Sequence, residues 1–269
     1  MSTLAADGPS LAQDPLGCGN VEVATVDLTV ILDAGGARSI KALDSLTLLV
    51  RKSEFVAIVG RNGSGKSTLL RTIAGLQRPT QGWVYVGQAE VGAVPSYRRT
   101  RKVALVPQSP GGGCVPNLTV GENLYLAHRK GLRMKPQRAW SASSERKILE
   151  ALNQHAVPFR REWLTRYPAE LSGGERQLVV MAMALLQQPS ILLLDEHMAA
   201  LDIHHSVQIR TLTEAVAKTG KFTILMVSHD LETAIAMAKR VLVLREGSCV
   251  KDSRNPSADE GEIRRLLNV

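Results

Sequence analysis

The chain has 269 residues, which is enough to bury a substantial core and to form one or two domains. Its hydrophobic content of 44% and charged content of 22% are ordinary for a soluble globular protein, and no run approaches the roughly 18 apolar residues that span a bilayer. Three scattered cysteines without a CxxC pair argue against a zinc site or a disulfide framework and fit a reducing cytosol.

The net charge of the chain is +8, and part of the excess lies at 129–147. This charge predicts a solvated basic face or a surface near anionic lipid. Nucleic acid is a weaker interpretation, because no interleaved aromatic residues accompany the charge.

The first part of the chain predicts strands. Residues 1–20 lack the basic start and apolar segment of a secretory signal, and we expect a flexible tail there. Alternating apolar and polar residues predict half-buried strands at 21–32 and 42–50, with a turn at 33–38. Residues 55–59 are apolar throughout and predict a strand buried on both faces of a parallel sheet. We assign the short strand at 82–86 to an antiparallel flap and predict a further strand at 102–106.

A phosphate-binding loop follows the buried strand, since residues 60–68 read GRNGSGKST. The glycines let successive backbone N–H groups point at one phosphate chain, and the helix that follows adds its positive dipole end. Lys66 reaches the β- and γ-phosphates, and Ser67 places its hydroxyl on Mg²⁺. The predicted nucleotide-binding residues here are Gly60, Asn62, Gly63, Ser64, Gly65, Lys66, Ser67 and Thr68.

The pattern becomes helical after a glycine-rich segment at 107–113, which we expect to be a flexible connector. Helices are predicted from Thr119, with a capping box to Glu122, and from 141 or 143 to about 155. Strands and helices alternate again beyond Gly173, with strands at 191–194, 222–227, 241–244 and 249–251 and helices at 175–188, 204–218, 231–238 and 263–267. This alternation predicts an α/β fold with a parallel sheet. We therefore expect one domain at 21–269, with its core at 21–108 and 171–269 and a helical insertion at 109–170.

Two carboxylates end the strand at 191–194. Asp195 is placed to hold Mg²⁺ beside the phosphate loop, and Glu196 to polarise a water molecule next to the γ-phosphate.

The segment Leu171-Ser-Gly-Gly-Glu175 opens the preceding helix and forms a second anion nest. The alternative is an ordinary serine N-cap with two flexible glycines. Because the chain already has one phosphate loop, the nest fits best against the γ-phosphate of another copy.

These pieces together resemble the ATP-binding cassette (ABC) ATPases over residues 21–250. The matching segments are GRNGSGKST, VPQ at 106–108, LSGGERQ at 171–177, ILLLDE at 191–196, AALD at 199–202 and SHD at 228–230. The resemblance implies a P-loop NTPase (RecA-like) core with an antiparallel β flap and a helical insertion. It also implies a head-to-tail dimer that holds two ATP molecules between one phosphate loop and the partner's LSGGE segment.

The resemblance assigns a role to each matching residue. Glu196 is the catalytic base, His229 the switch histidine on the γ-phosphate, and Gln108 a further catalytic residue. Mg²⁺ would be held by Ser67, Gln108 and Asp195, directly or through water. Ser172 and Gly174, with Gly173 between them, would act on the partner's nucleotide, and Asp202 would belong to the loop that connects the two sites across the dimer.

Three positions depart from the usual family pattern. Glu175 replaces the commoner glutamine, which the helix dipole favours and which leaves the nest intact. Leu32 stands nearest to the usual adenine-stacking aromatic residue, so adenine would pack on an aliphatic side chain. His197 follows the catalytic carboxylate either as a loop residue in the place of proline or as a pH-sensitive neighbour of Glu196. His204 and His205 are interpreted as exposed helix residues and not as metal ligands.

The leading functional prediction is the ATP-hydrolysing subunit of a membrane transporter, at the cytoplasmic face of the membrane. The segment DEHMAALD is similar to one branch of bacterial importer ATPases, which implies an integral membrane permease and an extracytoplasmic solute-binding protein as partners. The alternatives are an exporter subunit, or a soluble cassette ATPase acting on the ribosome or nucleic acid. Such soluble ATPases usually carry two cassettes, and this chain has one set of motifs.

Overall fold

A computed structural model describes residues 20–33, 39–94, 102–129, 140–199 and 201–268. The predicted tail, except Asn20, and the predicted turn, except Asp33, lie outside the described residues. So do Ala200 and most of the basic segment at 129–147. Within the described residues, no helix is long and apolar enough to cross a membrane.

The described strands form two sheets. The strands are β1 Val21–Asp33, β2 Ser39–Arg51, β3 Phe55–Val59, β4 Gln81–Val86, β5 Ala89–Glu90, β6 Val103–Val106, β7 Ile191–Asp195, β8 Thr223–Val227, β9 Arg240–Arg245 and β10 Ser248–Ser253. The first sheet is antiparallel and four-stranded, in the order β2-β1-β4-β5, and confirms the predicted flap. The second has six strands in the order β10-β9-β3-β8-β7-β6, parallel except where β10 pairs with β9.

The central strands are apolar because both faces of the larger sheet are covered. Alternate residues of β3 point to opposite faces, so Val56 and Ile58 join the core cluster shared with the flap, whereas Ala57 and Val59 join the cluster on the other face. The second cluster includes Leu124 and Ile148, so the helices Val120–His128 and Ala142–Gln154 pack on the same core.

The described α-helices are α1 Lys66–Ile73, α2 Val120–His128, α3 Ala142–Gln154, α4 Gly173–Leu186, α5 Ile203–Lys218, α6 Leu231–Met237 and α7 Glu260–Leu267. The predicted capping box of α2 is confirmed, with the Thr119 hydroxyl accepting from the Glu122 N–H. The expectation of a flexible connector at 107–113 is wrong, since Pro110–Gly113 forms a 3-10 helix. It packs so closely on α4 that a Cβ on Gly113 would lie 2.7 Å from the Val180 side chain.

One buried arginine ties the two sheets together. The Arg240 side chain on β9 donates to the carbonyl oxygen of Leu49 at 2.8 Å, to Glu54 at 3.1 Å and to both carboxylate oxygens of Asp252 at 2.7 Å. Since Leu49 belongs to the flap and Asp252 to β10, this network fixes the flap against the larger sheet.

Candidate active site

The phosphate loop joins β3 to α1, and at Gly65 its backbone has room for no residue but glycine. Gly65 has φ +100°, and a Cβ there would lie 2.3 Å from the carbonyl oxygen of Ala42. The Lys66 ammonium donates to the carbonyl oxygens of Gly60 at 2.7 Å and Arg61 at 3.0 Å, so it spans the loop. Burial lowers the pKa of Lys66, opposed by the charges of Glu196 and Asp195. The Ser64 hydroxyl is buried without a hydrogen-bond partner among the described residues.

Ser67 and Asp195 meet beside the loop. The Ser67 hydroxyl donates to Asp195 Oδ1 at 2.9 Å. Asp195 is buried at the end of β7, and desolvation raises its pKa against the opposing effect of the Ser67 hydrogen bond. The Ser67 hydroxyl and the buried Asp195 carboxylate both offer hard oxygen ligands, which suit Mg²⁺. This ion usually keeps water and phosphate oxygens as its remaining ligands. No described cluster of three or more His, Cys, Asp or Glu side chains could hold a metal alone.

Two of the predicted catalytic side chains, Gln108 and His229, contact the third, Glu196. Gln108 Nε2 donates to Glu196 Oε2 at 2.7 Å, and His229 Nε2 lies 2.5 Å from Glu196 Oε1. Gln108 follows β6, Glu196 follows β7, and His229 follows β8, so the side chains gather at the carboxyl ends of neighbouring parallel strands. Glu196 itself adopts φ +47°, a left-handed conformation that is strained for a non-glycine residue. The resemblance predicted His229 on the γ-phosphate; here it contacts the predicted base.

The predicted nest is the first turn of α4. Ser172 is its N-cap, accepting from the Glu175 N–H at 3.2 Å, while the Glu175 carboxylate accepts from the Ser172 N–H at 2.9 Å. The Ser172 N–H lowers the pKa of Glu175. Glu175 therefore completes a capping box, which explains locally why an acidic residue suits this place. Ser172 and Glu175 line a cavity of about 240 Å³, whereas Gly60, Asn62 and His229 line another of about 490 Å³.

The His197 side chain packs against α5. Its ring is buried, and Nε2 lies 3.1 Å from the Thr213 hydroxyl on α5. Because the Thr213 hydroxyl donates to the carbonyl oxygen of Ile209, it accepts from His197, which places the imidazole proton on Nε2. Burial lowers the pKa of His197 to about 4. His197 is thus a neutral residue anchoring the loop after Glu196 to α5.

The expectation for the two histidines of α5 is half right. His204 is exposed as predicted, but the His205 side chain is only 20% exposed, and its Nδ1 lies 2.6 Å from Asp202 Oδ2. Asp202 also caps α5 by accepting from the His205 N–H. Sequence reasoning missed this contact, although an N-cap aspartate with histidine three residues later signals it.

Leu32 is partly buried against the core beneath the flap, and it pairs across the strands with Ile40, which is 58% exposed. An aliphatic pair therefore occupies this end of the β1–β2 hairpin. Its contact with adenine stays a prediction.

Comparison with known proteins places these features in a family. Residues 43–199 match the family described as ABC transporter. The chain is 34% identical over 226 residues to the tyrosine transport ATP-binding protein of Clostridioides difficile (strain R20291), covering 83% of this chain and 88% of that protein. It is 35% identical over 231 residues to the aliphatic sulfonates import ATP-binding protein SsuB 1 of Burkholderia cenocepacia (strain HI2424). That alignment covers 86% of this chain and 64% of the relative, so the chain spans less than two thirds of its length.

Solved structures agree with the fold. A dimeric ATP-binding cassette in a post-hydrolysis state, bound to ADP and Pi, is 29% identical and superposes with a TM-score of 0.75 over 87% of this chain and 98% of that one. The cbiO1 structure from Clostridium perfringens, 21% identical, shows the same fold with a TM-score of 0.73 over 93% of this chain and 95% of that one. The predicted P-loop NTPase fold is confirmed, and the chain belongs to the ABC transporter family as one of its ATP-binding, ATP-hydrolysing subunits.

Proposed function

We propose that this chain drives a solute importer, working as a head-to-tail dimer on an integral membrane permease at the cytoplasmic face of the membrane. The name of one relative supports the direction of transport, since it serves aliphatic sulfonate import, and the name of another shows that it serves tyrosine transport. The dimeric state of the similar cassette supports the assembly. An extracytoplasmic solute-binding protein belongs to this proposal, because the resemblance of DEHMAALD to an importer branch implies one.

The observation that carries the proposal is the convergence of Gln108 and His229 on Glu196, next to the Ser67–Asp195 pair. Glu196 would accept a proton from the water that attacks the γ-phosphorus as the bond to the bridging oxygen breaks. Both of its oxygens are now in contact with neighbours. A γ-phosphate that draws His229 away would leave Oε1 open to the attacking water.

Mg²⁺ would be held by Ser67 and Asp195, with Gln108 reaching it through water. Bound there, it would neutralise charge on the phosphate oxygens. Lys66 already lies in the loop with its ammonium directed at backbone carbonyl oxygens. It would exchange these for the β- and γ-phosphates, which are stronger partners because they are charged.

The nest at Ser172–Glu175 supports the presence of a second subunit. Ser172 and Glu175 line a cavity that shares no lining residue with the one at the phosphate loop. A Cβ placed on Gly173 would meet no described atom within 4 Å. Nothing described in this chain therefore requires glycine at 173, whereas close approach of a partner's phosphate would require it.

A groove between the core and the helical segment is proposed as the permease contact. It measures about 780 Å³ and lies between α1, β6, α2 and α4. Leu76, which is 71% exposed, stands at its edge, and Leu105, Leu126 and Met183 line it. A groove that presents apolar side chains beside the polar side chains of Arg71 and Gln77 fits an amphipathic helix. The groove also follows the proposed division into a core and a helical subdomain at 109–170.

The hydrolysis step is tested with Glu196→Gln. We expect ATP turnover to fall at least ~100-fold, as for loss of a general base, while ATP binding remains and ATP induces a dimer visible by light scattering. Glu150→Gln, on the exposed face of α3, is the matched control and should keep full turnover. Turnover that survives in Glu196→Gln would exclude Glu196 as the base.

The transport assignment is tested by co-purification from solubilised membranes. A permease should accompany the wild-type chain, and Leu76→Glu should weaken this association, because it places a charge at the edge of the groove. Val250→Glu, a similar change at a half-exposed position on β10, should leave it intact. Sedimentation with ribosomes and no associated permease would favour a soluble cassette ATPase instead.

A further inference from the structure

One side chain joins the two segments that the proposed dimer would present to the partner's nucleotide. His205 Nδ1 contacts the Asp202 carboxylate at 2.6 Å, and the His205 backbone N–H donates to the other Asp202 oxygen at 3.0 Å. The same side chain also packs over Gly174 in the nest, since a Cβ on Gly174 would lie 2.1 Å from His205 Cγ. The His205 side chain therefore lies between the loop at Asp202 and the first turn of α4.

The two glycines of the nest have different surroundings. A Cβ on Gly174 would also lie 2.5 Å from both Cβ and Cδ2 of His205, so α4 and α5 can approach each other here only without a side chain at 174. Gly173 faces open space. One glycine thus serves an internal contact with His205, and the next leaves room for something outside the chain.

The contact with Asp202 fixes both the carboxylate and the ring. At 2.6 Å from a carboxylate oxygen, Nδ1 carries a proton and donates it, and hydrogen bonds to a charged acceptor are the stronger ones. Hydrogen bonds from His205 lower the pKa of Asp202, so the carboxylate stays ionised. Both Asp202 oxygens accept from the same residue, and the position of His205 therefore sets the position of the carboxylate.

We propose that His205 is a positioning residue that holds Asp202 and the nest as one unit, so that both meet the partner's nucleotide together. This rests on the proposed head-to-tail dimer. His205 is far in sequence from Lys66 and contacts none of the phosphate-loop residues in the described hydrogen bonds. Loss of the His205 side chain should therefore impair closing of the dimer around the partner's nucleotide. Nucleotide binding to the chain's own phosphate loop should stay unchanged.

The test compares two substitutions. His205→Asn keeps an N–H donor near the Nδ1 position and a branched atom over Gly174, whereas His205→Leu keeps apolar bulk and loses the donor. We expect His205→Leu to lower kcat at saturating ATP about tenfold, in the usual range of coupling between sites. Affinity of the isolated chain for a fluorescent ATP analogue should stay within about twofold, since binding to one subunit does not use the coupling. His205→Asn should retain most of the wild-type kcat.

Either of two results would overturn the proposal: an unchanged kcat in His205→Leu, or an equal loss in His205→Asn, which would mean that only ring volume matters. If the leucine variant does not fold, as judged by its melting curve, His205→Ala replaces it with the same expectation. The dimer itself is checked separately in the Glu196→Gln background with His205 intact. Failure to dimerise there would remove the proposed function and not this inference alone.

Discussion

His229 Nε2 lies 2.5 Å from Glu196 Oε1, so the histidine that the family resemblance assigns to the γ-phosphate here contacts the predicted base. Glu196 is strained at φ +47° and nearly buried, whereas the His229 side chain is 45% exposed. The histidine is therefore the partner that has room to move. This asymmetry suggests that nucleotide binding changes the contacts of His229 first.

Replacing His229 with alanine should lower kcat about 10- to 100-fold, because the γ-phosphate loses the donor that the proposal assigns to it. The KM for ATP should change less, since the phosphate loop still binds the nucleotide. Steady-state ATPase assays measure both. His204→Ala, at an exposed position, is the control and should behave as wild type. Equal loss in the two variants would contradict a specific role for His229.

Gly173 and Gly174 should respond oppositely to alanine. Gly173→Ala meets open space and a backbone without positive φ, so its free energy of unfolding should stay unchanged or rise by up to ~1 kcal/mol. Its ATPase should nevertheless fall, because the new methyl group faces the partner's nucleotide in the proposed dimer. Urea unfolding and ATPase assays separate the two effects.

Gly174→Ala should instead destabilise the fold by ~1–3 kcal/mol, since its Cβ would overlap the His205 ring. Gly261→Ala, in open space on α7, is the control and should preserve both stability and activity. Full ATPase activity in Gly173→Ala would contradict the assignment of the nest to a partner's phosphate.

Local patterns were enough to predict the strand–loop–helix unit at β3 and α1, the capping box of α2, and the acidic end of β7. Each of these depends on neighbours within a few residues, such as Thr119 with Glu122. The strand order and the closeness of Gly174 to His205 depend on residues far apart in sequence, so periodicity does not reveal them. The 3-10 helix at Pro110–Gly113 was missed for the same reason. Its glycines alone favour a loop, and its packing against α4 involves residues far away in sequence.

His197 should make stability depend on pH. Its pKa is lowered in the folded chain from the ordinary value of 6.5 to about 4. Below pH 6.5 the unfolded chain therefore binds a proton that the folded chain does not, and the free energy of unfolding falls as pH drops toward 4. Between pH 7 and pH 5 the loss from this residue should be about 2 kcal/mol.

Urea unfolding of the wild type and of His197→Gln at both pH values measures this contribution. Glutamine can still donate to the Thr213 hydroxyl but does not titrate, so the variant should lose about 2 kcal/mol less than the wild type over the same interval. Carboxylates titrate equally in both proteins and cancel in the comparison. An identical pH dependence would show that His197 does not remain neutral and buried.

Arg240 should be the costliest charged residue to remove from the junction of the two sheets. Its side chain is 5% exposed, and Glu54 is only 16% exposed, so Arg240→Met would leave a largely buried carboxylate and the carbonyl oxygen of Leu49 without their donor. We expect a loss of ~2–3 kcal/mol in the free energy of unfolding, below the full cost for a buried pair because Asp252 is 41% exposed. Arg210→Met is the matched control, since Arg210 pairs with Glu214 at the surface of α5 and the loss should stay below ~0.5 kcal/mol. Chemical denaturation of both variants gives the comparison, and equal losses would mean that the Arg240 network does not hold the flap to the larger sheet.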